Sequence, residues 1–107
     1  MTARENWGSV PPHVMQAPTR AHVFYGGRVQ GVGFRWALKR LAAGYEVTGW
    51  VKNLSDGRVE MMVEGERAEL EDYLAAIPES GLRANIRQCT TDWATGTGEF
   101  RGFEIVG

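Results

Sequence analysis

The stretch Gly26-Gly27-Arg28-Val29-Gln30-Gly31-Val32-Gly33-Phe34-Arg35 holds the residues of this chain whose types and spacing can do chemistry. Glycines at 27, 31 and 33 free the backbone for positive φ and let a ligand approach it closely. Phe34 opens an apolar helical period, so the segment reads as strand end, loop and helix start. Amide groups at such a helix start carry partial positive charge, and Arg35 in the first turn adds a planar guanidinium fork. The chemistry implied is capture of a phosphate or a carboxylate. A tight turn would account for the glycines alone, and it is the arginine that favours the anion cradle.

Two better-known glycine motifs are excluded. A Walker loop needs Lys then Ser or Thr after its second glycine, where Val32 and Gly33 stand. Gly31-Val32-Gly33-Phe34-Arg35-Trp36 lacks the third glycine of the dinucleotide fingerprint. Glu46, the first acid beyond it, falls short of the ribose-binding distance.

The elements that must position this loop follow from patterning. With 107 residues and 43% hydrophobic content the chain can bury one core. Its formal net charge of −1 offers no overall attraction to nucleic acid or to an acidic membrane, and neither partner is expected. Cys89, the single cysteine, suits a reducing cytosol and reads as a small strand residue, so a cytoplasmic location is expected. Residues Met1 to Thr19 hold three prolines, show no apolar period and lack a signal-peptide pattern. They read as a flexible extension preceding a domain over residues 20–107, with Trp7 packing opportunistically and Met15 as an alternative start. No segment is long and apolar enough to span a bilayer as a helix.

From Arg20, Ala21, Val23 and Tyr25 alternate with His22, Phe24 and Gly26 as a half-buried strand. Phe34, Leu38, Leu41, Ala42 and Tyr45 then share one helical face, with Trp36 off the stripe. Trp36 could cover the site mouth or pack under the extension. Val47 to Leu54 and Arg58 to Glu64 flank Ser55-Asp56-Gly57 as a hairpin, with Val59, Met61 and Val63 buried and Arg58, Glu60, Met62 and Glu64 on the wetter face. Leu70, Leu74 and Ile77, flanked by Ala68 and Tyr73, predict a second helix ended by Pro78. Its early acids, Glu66 to Asp72, complement the helix dipole. Ala84 to Trp93 and Gly102 to Val106 read as strands. His22 and His13 cannot assemble a metal cluster with so few partners, so no metal and no cofactor are expected. A βαββαβ run of this size predicts an α+β, ferredoxin-like sandwich, an antiparallel sheet with two helices on one face.

Beside this pattern stands a family resemblance. Gly27 to Arg35, Gly49-Trp50-Val51-Lys52-Asn53, Asp56-Gly57-Arg58-Val59-Glu60, Glu64-Gly65 and Gly102-Phe103-Glu104-Ile105 closely resemble the acylphosphatase family, over about Arg20 to Val106. The resemblance implies that Gly27, Arg28, Val29, Gln30, Gly31, Val32, Gly33 and Phe34 form the phosphate-binding loop, Arg35 anchors the phosphate, and Asn53 is the catalytic asparagine. It implies a metal-independent hydrolase of small acyl phosphates, expected to be monomeric. Two departures from the family pattern stand out. Tyr45-Glu46 precedes the second strand, with Gly44 slightly earlier, and residues 79–98 match loosely.

These residue types suit that reaction. The leaving group of an acyl phosphate is a stable carboxylate, so positioning and charge stabilisation suffice. Asn53 can orient a water but cannot act as a strong base, and no covalent phosphoenzyme is expected. Two other readings compete with a free-standing enzyme. One is a catalytically inactive anion-binding or regulatory domain of the same fold. The other is an RNA-binding sheet with Phe24 and Trp50 as stacking platforms.

Overall fold

Alternation along the first strand decides which way the sheet faces. In β1 (Thr19–Gly27), Ala21, Val23 and Tyr25 are buried while His22 and Phe24 are half-exposed, as a pleat with one covered face requires. The computed structural model describes residues 17–107, so Trp7, Met15 and all of the extension before Ala17 lie outside the described residues. β1 begins at Thr19, which pairs with Gly65 and Thr95.

The elements after β1 are α1 (Phe34–Ala42), β2 (Val47–Asn53), β3 (Val59–Gly65), α2 (Arg67–Ile77), β4 (Ile86–Thr95) and β5 (Phe103–Ile105). The sheet order is β4-β1-β3-β2-β5. β1 pairs antiparallel with β3 and β4, and β2 pairs antiparallel with β3. This is the ferredoxin-like α+β sandwich, with one amendment to an all-antiparallel sheet. β5 crosses to the far edge and pairs parallel with β2, Gly49 opposite Phe103, so the sheet is mixed.

The core fills the space between sheet and helices. Phe34, Leu38 and Ala42 from α1 and Leu70, Tyr73 and Ile77 from α2 meet Val23, Val51, Met61 and Val63 from the strands. Tyr73 is a core residue rather than a flank. Burial pushes its phenol well up, and its hydroxyl donates to Leu38 O at 2.8 Å, tying α2 to α1. Leu74 is only partly buried. α1 ends before Tyr45, whose ring nevertheless packs near Tyr73, with centroids 5.8 Å apart.

Two boundaries differ from the pattern. Pro78 closes α2, and the chain continues through a turn over Pro78–Leu82 that is broken at Gly81 (φ 96°), with Pro78 at its start where a missing N–H is harmless. Arg83–Asn85 then forms a 3-10 turn, which delays β4 to Ile86. The face without helices carries His22, Phe24, Trp50, Lys52 and Glu60. Arg58 sits 4.7 Å from the Phe24 ring centroid, Lys52 5.6 Å from that of Trp50, and His22 Nε2 lies 2.6 Å from Glu60 Oε2.

Glu64 departs furthest from its expected wet position. It is 2% exposed. The turn after β4 folds over it, so that Thr97 and Gly98 donate backbone N–H groups at 3.0 and 2.9 Å, and Arg20 donates at 2.8 Å.

Candidate active site

The loop leaves β1 where the sheet register ends. Gly27 has φ 127° and sits so close to the start of β4 that a Cβ there would lie 2.4 Å from Asn85 O. No side chain fits. Arg28 N–H donates to Asn85 O at 2.9 Å and Asn85 Nδ2 donates to Arg28 O at 3.0 Å, which stitches the loop to the turn before β4.

Side chains of the loop alternate between anchoring and exposure. Val29 is buried in the core, and Phe34 is buried against Tyr25 with ring centroids 5.2 Å apart in an edge contact. Gln30 Nε2 donates to Leu54 O at 2.7 Å and to Arg58 O at 2.8 Å, fastening the loop to the β2–β3 hairpin. Arg28, Gly31, Val32 and Gly33 are exposed. Of the predicted binding residues, Val29, Gln30 and Phe34 therefore hold the loop in shape with their side chains, leaving their amides as what they can offer a ligand.

Gly31 (φ 77°) and Gly33 (φ 80°) bend the backbone in the left-handed region, and Gly33 is the N-cap of α1. That cap has no side chain to accept from the first-turn amides, and the first turn holds no acid. The donors and the positive end of α1 are thus left for an anion. Arg35 stands in this first turn, half-buried, and no carboxylate among the described residues pairs with it.

Asn53 closes β2 at the same end of the sheet. It is opposite Val59 on β3, and Val59 is opposite Tyr25 on β1, so two strand spacings, about 10 Å, separate Asn53 from the strand that feeds the loop. It shares its face with Val47 and Val51, the face covered by α1. Its side-chain Oδ1 is buried with no hydrogen-bond partner among the described residues. Such an orphaned acceptor costs about 1–3 kcal/mol, which a folded chain keeps where a ligand makes use of it.

The fold thus brings Arg35, the loop and Asn53 to one sheet end. Cys89 lies opposite Tyr25 on the edge strand β4, an exposed residue whose thiol is pushed up by partial desolvation. Trp36 is 62% exposed, with Lys39 Nζ 5.9 Å from its ring. Among the described residues no group of three His, Cys, Asp or Glu side chains is placed to hold a metal. Asn85 is the site-end residue that patterning missed. It lies in a segment that reads as plain strand, and its partner is distant in sequence.

A ferredoxin-like sandwich with a glycine-rich loop and an arginine, unpaired among the described residues, between its first strand and first helix defines the structural class. Comparison with known proteins makes this specific. The acylphosphatase family model matches residues 21–105. An acylphosphatase of Roseiflexus sp. (strain RS-1) is 42% identical over 92 residues, covering 86% of this chain and 99% of that protein. The crystal structure of acylphosphatase from Bacillus subtilis superposes with a TM-score of 0.74 at 29% identity, over 83% of this chain and 99% of that one. Full-length HypF, solved in a phosphate- and nucleotide-bound form, superposes with a TM-score of 0.72 at 32% identity, over 86% of this chain but 12% of that one. The chain belongs to the acylphosphatase family.

Proposed function

We propose that this enzyme hydrolyses the carboxyl-phosphate bond of small acyl phosphates with Arg35, the loop amides and Asn53. The observation that carries this reading is the buried, unpartnered Oδ1 of Asn53 at the same sheet end as the glycine loop and Arg35.

Arg35 takes two phosphoryl oxygens through its guanidinium fork, and the amides of the loop and of the start of α1 take the third. Asn53 Oδ1 accepts a hydrogen bond from a water and holds it in line with the bond to be broken. As the water oxygen bonds to phosphorus, the bond to the acyl oxygen breaks and its electron pair leaves with the carboxylate. The proton of the water passes to the phosphoryl group, so the products are carboxylate and inorganic phosphate. A carboxylate leaves without protonation because its conjugate acid has a pKa of about 4. Charge spreading over the phosphoryl oxygens is met by donors already in place, which is where the rate is gained. No residue is phosphorylated in this scheme.

Release of inorganic phosphate from benzoyl phosphate tests it. Arg35→Ala is expected to lower kcat/KM by about 10³ or more, and Asn53→Ala by about 10²–10³, the range for losing one pre-positioned polar group. Thermal melts check that both variants fold. Equal rates in all three proteins defeat the assignment. Phosphate binding without turnover in the native chain selects the inactive anion-binding domain.

A further inference from the structure

The two ends of the sheet differ in charge. The loop end carries an excess of arginine, Arg28, Arg35, Arg58, Arg83 and Arg87 against Asp56 and Glu79, whereas at the other end Glu46, Glu64, Glu66, Glu69 and Glu99 are balanced by Arg20, Lys39, Arg40, Arg67 and Arg101. A chain of formal net charge −1 therefore turns a cationic end towards an incoming anion. Arg58 is occupied by Asp56, Nε to Oδ2 at 2.9 Å. No carboxylate among the described residues pairs with Arg28, Arg83 or Arg87. One phosphoryl group needs Arg35 and the amides, and these other arginines remain.

Two of them are placed by the stitched loop. The backbone of Arg28 is locked in both directions to Asn85. The stem of Arg87 runs past Gly27, where a Cβ would lie 3.1 Å from Arg87 Cγ and 2.8 Å from Arg87 N. Both residues are exposed; Arg28 follows Gly27 directly in the loop, and Arg87 lies against Gly27 from the neighbouring strand. Residues placed this way carry two like charges on either side of Gly27, and a guanidinium fork matches a carboxylate.

We propose that Arg28 and Arg87 form a second anion subsite beside the phosphate loop, so that the enzyme prefers acyl phosphates whose acyl part ends in a carboxylate. This rests on the acyl phosphate hydrolysis proposed above and adds a substrate class to it. The four-carbon pair butanoyl phosphate and succinyl monophosphate, the latter with a carboxylate in place of the terminal methyl group, tests it, with kcat/KM measured at low ionic strength and corrected for uncatalysed hydrolysis for the native chain, Arg87→Gln and Arg83→Gln. The native chain favours the succinyl compound. Arg87→Gln lowers that preference about three- to tenfold, the scale of one exposed charge-assisted contact, and leaves butanoyl phosphate hydrolysis within about twofold. Arg83→Gln removes the same charge from the same end and leaves the preference unchanged. Added salt erodes the preference of the native chain. An equal preference in native and Arg87→Gln proteins overturns the subsite, as does an equal drop in Arg83→Gln, which would assign the effect to the general field. In both cases hydrolysis of butanoyl phosphate persists. Loss of hydrolysis of both compounds by the native chain instead overturns the enzymatic reading and the subsite with it.

Discussion

Glu64→Gln isolates a carboxylate buried at the end of the sheet opposite the loop. Oε2 accepts from Arg20 Nε at 2.8 Å and from Thr97 N–H at 3.0 Å, and Oε1 accepts from Gly98 N–H at 2.9 Å. Gly96 approaches so closely that a Cβ there would lie 2.7 Å from Glu64 Cδ. Glutamine keeps the volume, but its amide NH₂ must face an N–H donor whichever way it turns. One backbone donor is left without an acceptor, and Arg20 loses its counter-charge. Arg20 is partly solvated, 23% exposed in its side chain, and recovers some hydration, so the loss is about 2–4 kcal/mol rather than the full value for a buried ion pair. In a domain of this size that lowers Tm by about 10–20 °C.

The pH dependence has a definite sign. Burial pushes the Glu64 carboxyl up, but the Thr97 and Gly98 amides and Arg20 outweigh it and hold it below its ordinary value of 4.5. Its stabilisation is therefore complete above that value and is lost as pH falls through the lower folded pKa. Urea unfolding of native and Glu64→Gln proteins should give a constant gap from pH 7 to about pH 5, narrowing only in stronger acid. A gap under about 0.5 kcal/mol at pH 7, or one that closes between pH 7 and pH 5, refutes the reasoning.

Two other perturbations follow from loop and sheet geometry. Gln30→Ala removes both ties from the loop to Leu54 and Arg58, and should lower kcat/KM for benzoyl phosphate about 10- to 100-fold by loosening the cradle, with a stability loss of only about 1–2 kcal/mol in urea unfolding. Gly49→Ala forces a Cβ to 1.9 Å from Met62 O in the middle of β2. It should abolish the cooperative melt seen by circular dichroism, because two strand backbones cannot part without breaking the ladder.

What could be read in the sequence was what depends on near neighbours. The pleat of β1, the stripe of α1 and the glycine loop between them each arise from periods of two to four residues, so Ala21, Val23, Tyr25, Phe34 and Leu38 were assignable to the core. The outer-face position of Glu64 likewise follows from parity, since it alternates with Val63. Its burial was not, because the cover comes from Thr97 and Gly98, more than thirty residues later. The same limit applies at the other end of the sheet. Asn85 holds Arg28 across a separation of 57 residues, and nothing in Ala84-Asn85-Ile86 marks it as a partner of the loop. Asn53 sits between these cases. Its position at a strand end was legible, and its resemblance to a catalytic asparagine rests on the surrounding motif. The physical reason it can serve, an acceptor buried without a protein partner among the described residues, exists only in the folded chain. Local pattern sets which elements form, and the charge and hydrogen-bond closure of each sheet end is decided by segments that meet only after folding. Substitutions at Asn85, Thr97 or Gly98 should therefore disturb one end without altering the propensity of any helix or strand.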